Sequence, residues 1–184
     1  LPYLLRDYGV KTLLDIPCGD WNWMRDVDLS GIRYIGGDIV PEIARRNTET
    51  YSNNGIEFLE LDLTRDPLPK ANLVLCRDCL NHLSYSDCQL ALDNIQQSGA
   101  TWLLVTTFYS RWKNENIITG EWRTINFQQA PFNFPPPMSL LIEECSECKN
   151  QYRDKALGLW ELRHLKTNNL EETPQVSRGK RETL

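Results

Sequence analysis

The chain has 184 residues, a formal net charge of −5 at pH 7 and 41% hydrophobic residues. That length suits one ordinary domain with a short appendage. The charge balance argues against a nucleic-acid binder that relies on a broad basic field, the apolar content argues against a wholly disordered chain, and apolar runs as short as Leu73–Cys76 and Trp102–Val105 argue against a membrane-spanning segment.

In chain order, Leu1, Leu4, Leu5 and Tyr8 share one helical face, and Gly9 can end that helix. Leu13–Pro17 reads as a first strand and Trp21–Val27 as a short helix. Ile32–Asp38 reads as a second strand ending in an acid. Pro41–Tyr51 is helix-like, with Pro41 suited to its first turn and Ser52-Asn53-Asn54-Gly55 to its exit. Ile56–Asp62 and Ala71–Cys76 make a third and a fourth strand. Ser84 followed by Asp87 resembles a capping box, and Cys88, Ala91, Leu92 and Ile95 then repeat at helical spacing up to Gly99. Thr101–Phe108 is a fifth strand. Strands alternating with helices at this spacing predict a mostly parallel sheet covered on both faces.

Beyond Phe108 the pattern changes. Tyr109–Pro137 shows no helical period but carries Trp112, Trp122, Phe127, Phe132 and Phe134, which predicts a packed loop. Ser139–Glu143 and Ala156–Leu162 look like a terminal antiparallel pair, whose short connection suits a hairpin better than a helical crossover. From Lys166 onward the chain is polar and aperiodic, so the expected organisation is a domain over 1–165 and a polar tail over 166–184.

The opening Leu1-Pro2-Tyr3-Leu4 lacks a signal-peptide layout, and six thinly spread cysteines do not read as a disulfide scaffold, so a cytoplasmic chain with reduced thiols is expected. Cys76 with Cys79 and Cys145 with Cys148 form two C-x-x-C pairs, so a zinc-binding structural protein is an alternative reading. They are much further apart than the roughly 15–20 residues usual in a zinc ribbon, and no metal is expected.

The stretch that carries chemistry is Leu13-Leu14-Asp15-Ile16-Pro17-Cys18-Gly19-Asp20-Trp21. An apolar strand ends in an acid and enters a tight turn with one glycine, and a second strand about 20 residues on ends in Asp38. An acid there offers acceptors for a ribose diol. The turn does not suit a dinucleotide, because a pyrophosphate site wants G-x-G-x-x-G and here bulky Trp21 follows Gly19. A ligand with a ribose and no phosphates fits better.

These residues resemble the first motif of class I S-adenosylmethionine-dependent methyltransferases in its Pro-Cys-Gly variant. Tyr34-Ile35-Gly36-Gly37-Asp38-Ile39 resembles the second-strand motif, Leu61-Asp62-Leu63 the third, and Leu73–Asp78 with Cys79-Leu80-Asn81-His82-Leu83 the fourth strand and its turn. The resemblance implies a Rossmann-like α/β fold, mostly parallel with an antiparallel edge strand, and S-adenosylmethionine as cofactor. It implies that Asp15, Pro17, Cys18 and Gly19 line the cofactor, with Asp15 at its amino end. Asp38 takes the ribose, Asp62 faces the adenine amine, Ile39 and Leu63 sandwich the purine, and Cys76 and Arg77 present backbone groups. Pro17 and Trp21 stand where the family usually has glycine. The Asn/Asp-Pro-Pro-Tyr signature of enzymes that methylate nucleobase amines is missing from the fourth strand.

The expected activity is methyl transfer to a small-molecule acceptor, a hydroxyl first of all, with neither nucleic acid nor membrane as partner. A catalytically silent cofactor-binding module is the other alternative. His82 lies after the fourth strand, where the family's active site opens, and is the candidate base, with Asp78 a second candidate or its orienting partner. Tyr109, Trp122 and Phe132 are candidate walls of the acceptor pocket, and Arg77 and Arg123 candidate partners for an acidic acceptor. His164 reads as structural.

Overall fold

The computed structural model describes residues 1–166. The tail expected from Lys166 therefore lies, but for that residue, outside the described residues. Among the described residues, three helices of more than one turn form, α1 (Pro2–Asp7), α2 (Pro41–Tyr51) and α3 (Tyr85–Gln97), with seven strands: β1 (Thr12–Asp15), β2 (Arg33–Asp38), β3 (Ile56–Glu60), β4 (Leu73–Cys76), β5 (Trp102–Phe108), β6 (Ser139–Ile142) and β7 (Lys155–Glu161).

The strands make one sheet in the order β3-β2-β1-β4-β5-β7-β6. The first five run parallel, and β7 runs antiparallel to both β5 and β6. The expected hairpin thus closes one edge of the sheet, with β6 outermost. β1, β4 and β5 are buried along nearly their whole length, as strands covered on both faces must be. β6 instead alternates between half-buried and exposed residues, as the outermost strand.

Leu4 and Leu5 of α1 join Leu13, Trp21, Tyr34 and Phe58 in the core on one face, where α2 packs along β3. On the other face α3 places Cys88, Ala91, Leu92 and Ile95 against Val74, Cys76 and Val105. The long loop completes that second face: Phe127, Phe132 and Phe134 are buried around Trp160, whose Nε1 donates to Pro135 O at 2.7 Å. Phe132, expected at the acceptor pocket, belongs to this core. The loop is also tied by its own asparagines. Asn126 N–H donates to Asn114 Oδ1 at 2.8 Å, and Asn126 Nδ2 donates to Arg111 O at 2.7 Å.

Two local expectations change. Trp21–Val27 does not form a helix beyond the single 3-10 turn Met24–Asp26. Trp21 has φ 59°, and its ring packs against Tyr34, Tyr51 and Phe58, so burial of the indole sets the path of the chain. At α3, Ser84 Oγ accepts from Asp87 N–H at 3.2 Å, which is half of a capping box. The other half runs through the loop. Ser84 N–H donates to Thr119 Oγ1 at 2.9 Å, and the Thr119 hydroxyl donates to Asp87.

Candidate functional site

In an open α/β sheet, ligands bind beyond the carboxyl ends of the strands where the strand order reverses. Here the chain runs outward through β1, β2 and β3 and returns beside β1 as β4. The carboxyl ends of β2, β1 and β4 bring Asp38, Asp15 and Cys76-Arg77 to that point.

The turn after β1 is held from two sides. Gly19 N–H donates to Asp38 Oδ2 at 3.0 Å, and Asn47 Nδ2 donates to Gly19 O at 2.7 Å. Gly19 has φ 54°, a left-handed conformation that glycine adopts without strain. Asp38 Oδ1 accepts from Val40 N–H at 3.0 Å. Each Asp38 oxygen therefore keeps one lone pair, and two neighbouring acceptors suit a diol. Asn47 is a fully buried residue of α2 that carries no sequence signal of its role, because an asparagine within a helix belongs to no motif.

Asp15 is 1% exposed and accepts the Tyr34 hydroxyl at 2.7 Å. Burial pushes its carboxyl up to about 7, against the opposing pull of the Tyr34 hydrogen bond and the Arg77 charge. Cys18 is pushed up to about 12, chiefly by burial, so it stands beside the turn as a neutral thiol. Pro17 carries the cis peptide that leads into the turn.

The other expected cofactor residues differ in exposure. Asp62 Oδ1 accepts both the N–H and the hydroxyl of Thr64, which is turn-forming chemistry. Leu63 is buried in the core on the α3 side, whereas Ile39 is exposed at the end of β2.

Next to this group, at the carboxyl ends of β4 and β5 and the start of β7, lies a cavity of about 340 Å³. Phe108, Trp122 and Tyr152 form one wall, each meeting the other two edge to face. Asp78, Asn81, His82 and Lys155 supply polar groups, and Cys145 and Glu147 complete the lining. Asp78 has φ 52°, uncommon for a residue with a side chain. The surroundings hold it there. Its N–H donates to Thr106 Oγ1 at 2.8 Å, and Lys155 Nζ lies 2.6 Å from its Oδ2. Arg77 and Glu143 extend this into a four-membered ion cluster, with Arg77 Nε 2.7 Å from Glu143 Oε1 and Lys155 Nζ 3.3 Å from Glu143 Oε2. Burial pulls Lys155 down, but Asp78 and Glu143 outweigh it, and the net shift is upward. Lys155 is therefore a fixed cation and not a base.

His82 sits in the 3-10 turn Leu80–His82, and the long loop runs alongside it. Gly120 N–H donates to His82 O at 2.8 Å, and Arg123 N–H donates to Asn81 O at 3.0 Å. His82 Nδ1 lies 3.0 Å from Glu121 O. A carbonyl only accepts, so Nδ1 carries the proton in that bond, and Nε2 of the neutral ring is left as the acceptor.

The expected acceptor residues divide. Trp122 lines the cavity. Tyr109 is not among its lining residues, and its N–H donates to Asp154 O. Arg123 is buried beneath the start of α3, where its guanidinium donates to Leu83 O and Cys88 Sγ and lies over the Tyr85 ring. Its charge is used in fixing the His82 turn, so it does not meet an acceptor in this cavity. Arg77 is likewise taken by Glu143 and Asp78. His164 lies outside the cavity, 3.4 Å from Glu161. Among the described residues, no three His, Cys, Asp or Glu side chains gather so as to hold a metal ion, and the two C-x-x-C pairs do not build a four-cysteine site.

Similar folds occur in solved structures. Human N-acetylserotonin methyltransferase, in complex with SAM, superposes with a TM-score of 0.59 at 15% identity, over 84% of this chain and 48% of that one. CalO1, a methyltransferase of calicheamicin biosynthesis in its SAH-bound form, gives 0.59 at 15%, over 80% and 47%. The 1,6-didemethyltoxoflavin-N1-methyltransferase of Burkholderia thailandensis gives 0.51 at 18%, over 67% and 58%.

The fold is that of the class I S-adenosylmethionine-dependent methyltransferases.

The chain spans about half the length of the first two structures. No protein-family model and no curated protein sequence matches it significantly. Among the described residues, no helix is long and apolar enough to cross a membrane. Within the methyltransferase fold, Asp15, Gly19 and Asp38 stand at the reversal of strand order, and the cavity with His82 opens beside them.

Proposed function

We propose that this chain is an S-adenosylmethionine-dependent methyltransferase that acts on a hydroxyl of a small-molecule acceptor. One observation carries the reading. The strands tipped by Asp15 and Asp38 end on the same side of the sheet as an aromatic-walled cavity lined by His82, whose Nδ1 is engaged by a backbone carbonyl.

The donor set fits the cofactor. The free lone pairs of Asp38 suit the ribose diol, and the buried Asp15 carboxylate suits the ammonium of the amino acid end. Gly19, pinned by Asp38 and Asn47, lets the backbone approach closely. Exposed Ile39 offers an apolar face to the purine, and Asp62, brought close because Leu61 N–H donates to Asp38 O at 2.9 Å, is the acceptor for its amine. At the carboxyl end of β4, buried Cys76 and half-buried Arg77 offer backbone groups near Asp15. When bound, S-adenosylmethionine supplies a sulfonium-activated methyl group that the acceptor oxygen takes as the S–C bond breaks, leaving S-adenosylhomocysteine.

His82 Nε2 receives the hydroxyl proton, and the bond from Nδ1 to Glu121 O holds the ring ready for it. A neutral amine would not need such a base, which favours oxygen over nitrogen as the acceptor atom. Asp78, fixed by Lys155 and Thr106, lines the same cavity and orients the acceptor. The small cavity, of about 340 Å³, suits a small molecule. An acidic chain at −5 does not suit a nucleic acid.

Turnover with hydroxylated acceptors tests the reading. His82→Ala should lower kcat by about 100-fold or more while leaving S-adenosylhomocysteine affinity nearly unchanged. Full activity in that variant would remove His82 as the base.

A further inference from the structure

Five consecutive residues around the candidate base are each held by one segment of the long loop. Arg123 N–H donates to Asn81 O at 3.0 Å, and Gly120 N–H donates to His82 O at 2.8 Å. The Arg123 guanidinium donates to Leu83 O, Thr119 Oγ1 accepts from Ser84 N–H at 2.9 Å, and Asn116 Oδ1 accepts from Tyr85 N–H at 2.8 Å. Arg123 therefore grips the carbonyls on both sides of His82, one with its backbone and the other with its side chain. Glu121 lies between the two gripping residues Gly120 and Arg123, and its carbonyl meets His82 Nδ1 at 3.0 Å.

Fold stability alone does not explain an arginine at this place. Arg123 is 6% exposed, and its guanidinium meets Leu83 O, Cys88 Sγ and the Tyr85 ring, none of them a carboxylate. Its Nε has no hydrogen-bond partner. Burying a cation without a counter-ion costs free energy that an apolar side chain of similar length would not. What the guanidinium supplies in return is a charge-assisted bond to a carbonyl, stronger than a neutral one and fixed in direction by a planar group.

We propose that Arg123 is a positioning residue for methyl transfer. By holding the backbone on both sides of His82, it keeps the ring on the Glu121 carbonyl, so that the proton stays on Nδ1 and Nε2 is left to take the acceptor's proton. This rests on the methyltransferase reading, in which His82 is the base, and adds the residue that orients the base. A neutral imidazole carries its one proton on either nitrogen, and a bond to a carbonyl selects one form only while ring and carbonyl stay in register.

Proton–nitrogen NMR on the full chain tests the proposal without any acceptor, because it reads which ring nitrogen carries the proton. The chain has two histidines, and His164→Gln assigns their signals. At a pH where the ring is neutral, the unaltered protein should hold the Nδ1–H form of His82 in about tenfold excess over the Nε2–H form. Arg123→Met keeps most of the side-chain length without its donors or charge, and should lose most of that excess. Arg123→Lys keeps a charged donor for Leu83 O but not the planar group, and should fall between the two. S-adenosylhomocysteine should bind Arg123→Met as it binds the parent, because Asp15, Gly19 and Asp38 are held by other contacts. If Arg123→Met does not fold, Arg123→Lys carries the comparison. Hydrogen exchange on the unaltered protein needs no variant: the Gly120 and Arg123 amides should exchange at least about tenfold more slowly than that of exposed Trp112. No excess of the Nδ1–H form in the parent, an undiminished excess in the variants, or Gly120 and Arg123 amides as fast as Trp112's would overturn the proposal. Failure of the unaltered protein to bind S-adenosylhomocysteine is a separate result and falls on the methyltransferase reading.

Discussion

Asp15 ties burial of a carboxyl group to the pH dependence of stability. Its burial against Tyr34 raises the carboxyl to about 7, well above its ordinary 3.8. Between those values the native chain keeps a proton that the unfolded chain has released. The group's contribution to stability is then fully present below about pH 4 and is lost as pH rises through about 7. Urea denaturation of the parent and of Asp15→Asn, which cannot ionise, should show the parent losing stability relative to the variant between pH 5 and pH 8. Parallel pH profiles would contradict the buried, proton-holding Asp15. The candidate site was partly legible at this scale. Asp15, Gly19, Asp38 and His82 stood at strand ends that local patterning marks. Lys155, Tyr152 and Asn47 were not visible, because the first two reach the cavity from the far end of the chain and the third from inside a helix. The arginines meet a related limit. Arg77 and Arg123 look available in sequence, but Glu143 in one case and Leu83 O with Cys88 in the other claim them through contacts 35–66 residues away.

Helices and strands were legible where a local signal and the tertiary demand agree. Pro41 and Ser84 begin α2 and α3 as their positions suggest, and the apolar runs of β1, β4 and β5 fall where they are buried on both faces. The segment after Gly19 was misread because the Trp21 indole is drawn into a cluster of rings, and that burial outweighs helix propensity. The long loop was readable as packed but not as two functional parts. Residues 119–123 brace α3 and the His82 turn, while 125–134 fill a core around Trp160. Gly158 of β7 is the point that this core leans on. A Cβ there would collide with the Trp160 ring, and Trp160 is anchored through Pro135 O and the rings of Phe127 and Phe134. Gly158→Ala should therefore cost about 1–3 kcal/mol of stability, the usual penalty of overpacking. A denaturation midpoint equal to the parent's would show that the ring has room to move.

At the scale of the whole molecule, one sheet edge carries the account. β2 and β1 bring acids and a pinned turn to the reversal of strand order, and β4, β5 and β7 frame the neighbouring aromatic cavity. The order of strands places the two regions side by side, and everything proposed about chemistry depends on the first of them being a cofactor site. The most direct measurement is calorimetric titration of the parent and of Asp38→Ala with S-adenosylhomocysteine. The parent should bind at one site, and the variant should lose about 1.5–3 kcal/mol of binding free energy with the two-acceptor contact to the diol. No binding by the parent, or equal affinity in the two proteins, would contradict the account.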